Sequence, residues 1–145
     1  MRKTIAALAA TLVLLMPVGS APASPEYVAF SAYITSAYYF SFNRTLSVSA
    51  YASYRDSDCY PSYQCDRSVI AEFTLQKGFS SYGRIVGQRL AETGQYGSSM
   101  RVSFTIPCRF IPKYRSETYT LTMDAVAPDG SEKTARRTIF VRSCR

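Results

Sequence analysis

The 145-residue chain contains no histidine and no tryptophan, and its ten carboxylate side chains face seventeen lysines and arginines. Without histidine, Ser-His-Asp and Cys-His catalytic arrangements are excluded. A zinc site, which ordinarily needs CxxC-type cysteine spacing or histidine partners, is disfavoured for the same reason. The absence of tryptophan removes a common wall of carbohydrate-cleaving clefts, and a glycosidase would in any case need two carboxylates flanking its substrate. Long apolar runs are also missing. The longest, Ile5 to Met16, falls short of the roughly 20 residues that a membrane span requires. No segment carries a sustained helical period.

What the N-terminus does carry is Arg2 and Lys3, then that apolar run, then the small-residue site Ala21-Pro22-Ala23. This reads as a secretory signal peptide. The expected organisation is a signal peptide over residues 1–23 and a single domain over residues 24–145, secreted and extracellular, without a membrane span. The Ala-rich leader resembles bacterial ones. Losing Arg2 and Lys3 lowers the formal charge of +7 by two, so the domain is basic without the excess that announces a nucleic-acid partner. Asn43-Arg44-Thr45 is a glycosylation sequon, of consequence only in a eukaryotic host.

Period-two alternation dominates the body of the chain. Leu46, Val48, Ala50, Ala52 and Tyr54 alternate with polar neighbours, as do Val69 to Leu75, Met100 to Ile106 and Tyr119 to Ala127. Weaker strands are expected at 27–42, split near Thr35, and at 82–90, where Gly83 and Gly87 suggest a bent or edge strand. A last strand covers about 133–142. Its phase is open, because Ile139 and Val141 argue for one face and Phe140 for the other. Seven or eight strands in a chain of this length imply an all-β, antiparallel β-sandwich.

The stretch ETYTLTMDAVAPDGSEKTARRTIFV, residues 117–141, resembles the closing hairpin of bacterial immunoglobulin-like, PKD or fibronectin type III domains. In that resemblance Tyr119 occupies the place of a tyrosine corner. The implied architecture is an immunoglobulin-like sandwich; the resemblance assigns no activity.

If successive strands alternate in direction, the connections 56–67, 91–99 and 128–132 gather at one end, as the three recognition loops of immunoglobulin-like domains do. Cys59 and Cys65 lie at that end, whereas Cys108 and Cys144 close strands that run to the other. An even cysteine count in a secreted domain reads as disulfides, and this sorting pairs Cys59 with Cys65 and Cys108 with Cys144. The loop end collects Asp56, Asp58, Asp66, Glu92 and Asp129 together with Tyr60, Tyr63 and Tyr96. Tyrosine among serine and glycine is the composition of recognition loops, although tyrosine also suits strands in general. The aspartates could offer calcium its preferred oxygen ligands, or simply stabilise turns.

The opposite end collects Arg44, Lys77, Arg109, Lys113, Arg115, Arg142 and Arg145. Such a patch could hold an anionic polymer; the plainer reading, a solvated and solubilising surface, is preferred. The expected function is that of a secreted, non-catalytic binding module with no cofactor and no metal. It would contact an extracellular protein or cell-surface polymer through Tyr60, Tyr63 and Tyr96. Two alternatives are an inhibitor presenting the Cys59–Cys65 loop to an extracellular enzyme such as a protease, and a structural module of the cell envelope.

Overall fold

The computed structural model describes residues 28–56, 67–78, 83–94, 98–111 and 116–142. Seven strands follow in chain order: β1 (Val28–Phe40), β2 (Thr45–Asp56), β3 (Ile70–Lys77), β4 (Ile85–Glu92), β5 (Ser99–Thr105), β6 (Glu117–Val126) and β7 (Glu132–Val141). They form two antiparallel sheets, one ordered β1-β2-β5 and the other β4-β3-β6-β7. The sole helical element among the described residues is a short 3-10 turn, Cys108–Phe110, after β5. No described helix is long and apolar enough to cross a membrane.

The alternation fixes which side of each strand is buried. Leu46, Val48, Ala50, Ala52 and Tyr54 of β2 face Phe73 and Leu75 of β3 and Tyr119, Leu121 and Met123 of β6 within one core, with Phe104 of β5 added from the first sheet. Burying a side chain of this size contributes about 1.5–3 kcal/mol. The open phase of β7 resolves with Ile139 and Val141 buried and Phe140 exposed. Thus β7 keeps a strict alternation through its last three residues.

Two irregularities were foreshadowed by the sequence. In β1 the pairing with β2 slips between Ile34 and Ser36, so Thr35 is an extra residue. A bulge of this kind moves the following side chains to the other face. Accordingly Phe30, Ala32 and Ile34 pack on the core before the bulge, and Ala37 and Tyr39 after it. In β4, an edge strand, Gly87 lies against Phe104 of the other sheet: a Cβ added there would sit 3.0 Å from the ring carbon Cδ1. Glycine permits this approach of strand and ring.

The turns show equally local causes. Between β1 and β2, Arg44 adopts φ 58°, while the Asn43 side-chain carbonyl accepts the Thr45 N–H at 3.1 Å. Between β6 and β7, Gly130 takes φ 83°. The Asp129 carboxylate accepts the Ser131 N–H at 2.8 Å, an Asx turn.

Each seam between the sheets is bridged by an arginine from the four-stranded sheet. Arg89 of β4 donates to the Ser103 carbonyl on β5 at 3.2 Å, and Arg137 of β7 donates to the Thr35 carbonyl on β1 at 3.1 Å. Both occupy inward-phase positions on edge strands, pairing in register with Phe73 and Leu121. Inward-pointing charges on edge strands are a known guard against pairing with other chains.

Candidate functional site

β2, β4 and β6 end where β3, β5 and β7 begin, and hydrogen bonds hold these termini together. Thr93, the buried polar residue after β4, donates its N–H to the Val69 carbonyl at 3.0 Å and accepts the Val69 N–H on Oγ1 at 2.9 Å. The Ala52 N–H of β2 donates to Ser98, just before β5, at 2.8 Å. Across the sheets, the Tyr54 hydroxyl at the end of β2 lies near the Asp129 carboxylate in the β6–β7 turn and, after Ser131, helps to lower its pKa. The expected convergence of three connections at one end is therefore present in the strand termini that carry them.

Of the residues predicted to act there, Tyr60, Tyr63, Tyr96, Cys59, Cys65, Asp58 and Asp66 lie outside the described residues. Asp129 is described, and its carboxylate is held below the usual carboxylate range, first by the Ser131 hydroxyl and then by the Ser131 N–H. That is the work of a turn residue. Among the described residues no group of three or more histidines, cysteines, aspartates or glutamates is placed to hold a metal.

At the opposite end most described cations have intramolecular roles. Arg44 accepts the Ile106 N–H on its carbonyl at 2.9 Å and directs its guanidinium to the Cys108 sulfur at 3.4 Å. Arg84, which the sequence did not single out, and Arg109 each lie 5.0 Å from the centre of the Phe110 ring, two cation–π contacts. Lys77 pairs with Glu117 at 3.2 Å. Lys113, Arg115 and Arg145 lie outside the described residues. Cys108 is not a free thiol, and Cys144, its expected partner, lies outside them too. Arg44, Lys77, Arg84 and Arg109 are thus each engaged within the molecule.

Tyr119 binds this end to the core. Fully buried near the start of β6, it donates its hydroxyl back to the Phe110 carbonyl. This is the geometry expected of a tyrosine corner. Burial, and secondarily Glu117, push its phenol up to about 12. Tyr39 of β1 is also raised by burial, with Arg44 opposing, and its hydroxyl is buried with no hydrogen-bond partner among the described residues.

A cleft that the sequence reading missed runs between β1 and β7. It encloses about 460 Å³ and is lined chiefly by Tyr38, Tyr39, Ser41, Arg137, Phe140 and Arg142. Tyr38 and Phe140 are 65% and 66% exposed, and Phe42 in the adjoining turn is 85% exposed. The signal was present in two conflicts of phase, the slip at Thr35 and the outward Phe140. Neither conflict alone revealed that the two strands face each other.

No family model matches the chain, and no curated protein matches it. Among solved structures it is similar to the crystal structure of a Bordetella pertussis protein assigned as ApaA. The likeness covers 83% of this chain and 94% of that one at 7% identity, with a TM-score of 0.26. At those values it carries no argument about function or kinship.

Proposed function

We propose that this protein is a secreted, non-catalytic binding module that engages an extracellular protein or cell-surface polymer with the end where the β2–β3, β4–β5 and β6–β7 connections leave the sandwich. The observation that carries the reading is the tying of those strand termini to one another through Thr93, Ala52 and the Tyr54–Asp129 contact. Rigid termini reduce the ordering cost of any loop they carry. Tyr60, Tyr63 and Tyr96 are the contact residues in this reading, and a Cys59–Cys65 bridge stiffens the first loop. A Cys108–Cys144 bridge belongs to the opposite end.

An immunoglobulin-like assignment is supported by the Tyr119–Phe110 bond and by the pairing of β2 with β5 and of β3 with β6. The fourth strand lies beside the third, whereas constant-type immunoglobulin domains keep it in the first sheet. The leader over residues 1–23 supports export.

The test is a pull-down from native extracellular material with the wild type and with Tyr60→Ala/Tyr63→Ala, followed by titration of the captured partner. The double variant should lose about 2 kcal/mol or more of binding with an unchanged melting temperature. Equal capture by both proteins would remove the loop end from consideration. Non-reducing peptide mapping checks the bridges, and a peptide joining Cys59 to Cys144 would overturn the pairing.

A further inference from the structure

We infer that the cleft between β1 and β7 is a second binding site, for an anionic oligosaccharide whose sugar rings pack on Tyr38 and Phe140 and whose carboxylate or sulfate groups meet Arg142 and Arg137. Its volume of about 460 Å³ lies within the usual range for small-ligand sites. None of its lining residues is acidic, and two are arginines. Arg137 is anchored by one terminal nitrogen to the Thr35 carbonyl, which leaves further donors in a fixed fork. Tyr38 and Phe140 line the cleft from one sheet each, and both are exposed. Sugar rings carry C–H faces that pack on the electron-rich faces of aromatic rings. The lining also offers hydroxyl groups from Ser41 and Thr138, and Tyr39 brings a buried phenol with no partner among the described residues.

The surroundings choose among anionic ligands. A single-stranded nucleic acid needs a charged groove that tracks several phosphates in succession. Here Arg44, Lys77, Arg84 and Arg109 at the same end are already engaged with Cys108, Glu117 and Phe110. Among the described residues of that end, the cations left over, Arg137 and Arg142, line the cleft. A protein partner would require about 800 Å² of contact from each side, more than a narrow cleft presents.

The experiment is calorimetric titration of the purified protein with four probes of similar length: a galacturonate hexamer, a sulfated hexasaccharide, neutral maltohexaose and a thymidine hexanucleotide. At least one acidic hexasaccharide should bind at least about tenfold more tightly than maltohexaose, and the two acidic probes tell carboxylate from sulfate. Tyr38→Ala/Phe140→Ala and, separately, Arg142→Glu should each weaken that binding by at least about tenfold without moving the melting temperature, because all three positions are exposed. Tyr60→Ala/Tyr63→Ala should leave it unchanged, which separates this site from the loop end. The proposal is overturned if neither acidic glycan binds, if binding survives removal of both rings, or if the hexanucleotide binds as tightly. It is equally overturned if glycan binding is lost in the loop variant and kept in the cleft variants.

Discussion

The two seams of the sandwich are built from the same parts and end in opposite states. On one side Gly87 lets the Phe104 ring lie against β4, and Arg89 lays its guanidinium 5.7 Å from that ring's centre while reaching the Ser103 carbonyl. That seam is packed by the ring and the guanidinium. On the other side the extra residue at Thr35 turns Tyr38 outward, Phe140 follows the outward phase of β7, and Arg137 spans the gap to β1. That seam stays open as a cleft. The difference lies in one missing side chain against one added backbone residue, since an inward arginine bridges both.

The largest effect should come from emptying the packed seam. Phe104→Ala removes a buried ring that both Gly87 and Arg89 contact, and should cost about 3–5 kcal/mol in chemical denaturation. Between the seams, Tyr119→Phe leaves the buried Phe110 carbonyl without its donor, at a cost of about 1–3 kcal/mol. The same residue predicts an alkaline limit. Its phenol is raised in the folded protein from an ordinary 10.0 to about 12. The folded state therefore holds the proton more tightly than the unfolded chain does. That contribution is intact below pH 10 and is lost as pH rises towards 12. A pH series of melting temperatures over this window should fall for the wild type and fall less steeply for Tyr119→Phe, in which the raised Tyr39 phenol remains.

Gly87→Val tests whether glycine is what closes the first seam. The new side chain meets Phe104, and overpacking of this kind should cost about 1–3 kcal/mol. A neutral result would mean that the ring can move aside freely. Smaller differences should separate the two bridges. Arg89→Ala loses two hydrogen bonds, to the Ser103 and Gln88 carbonyls, and a ring contact, Arg137→Ala one hydrogen bond, so the first should exceed the second, each exposed bond contributing about 0.5–1.5 kcal/mol at most. Equal losses would deny any weight to the second bond and the Phe104 contact together. Least of all should follow from Phe140→Ala, about 0.5 kcal/mol or less, although it deletes the same side chain as Phe104→Ala.

How much of this could be read in advance depended on which residues carried the signal. The inward phases of β2, β3, β5 and β6 were legible, because small or apolar side chains such as Ala50, Phe73, Met100 and Leu121 recur at every second position with polar neighbours between them. The edge character of β4 was legible; the split expected near Thr35 is instead a bulge within a continuous β1, because one extra residue shifts the register without ending the pairing. Arg89 and Arg137 were not: a long cationic side chain in an inward register looks, in sequence, like an error of phase. The cleft was hidden for a topological reason, since β1 and β7 lie at opposite ends of the chain and are brought together by the stacking of the two sheets. At the loop end, the shared location of the strand termini was legible from alternating strand direction alone. The Tyr54–Asp129 contact was not, as it depends on where one sheet sits over the other.

The crossed strand order also governs time. Only β1–β2, β3–β4 and β6–β7 join neighbours in sequence, while Thr45 must find Thr105 and Lys77 must find Tyr119 before either sheet has its centre. Those searches close long loops before any burial rewards them. All-β domains of this kind fold on the order of milliseconds to seconds, far more slowly than helical bundles. The same strand order that joins the two sheets across the core thus sets a slow clock on how soon the molecule becomes compact.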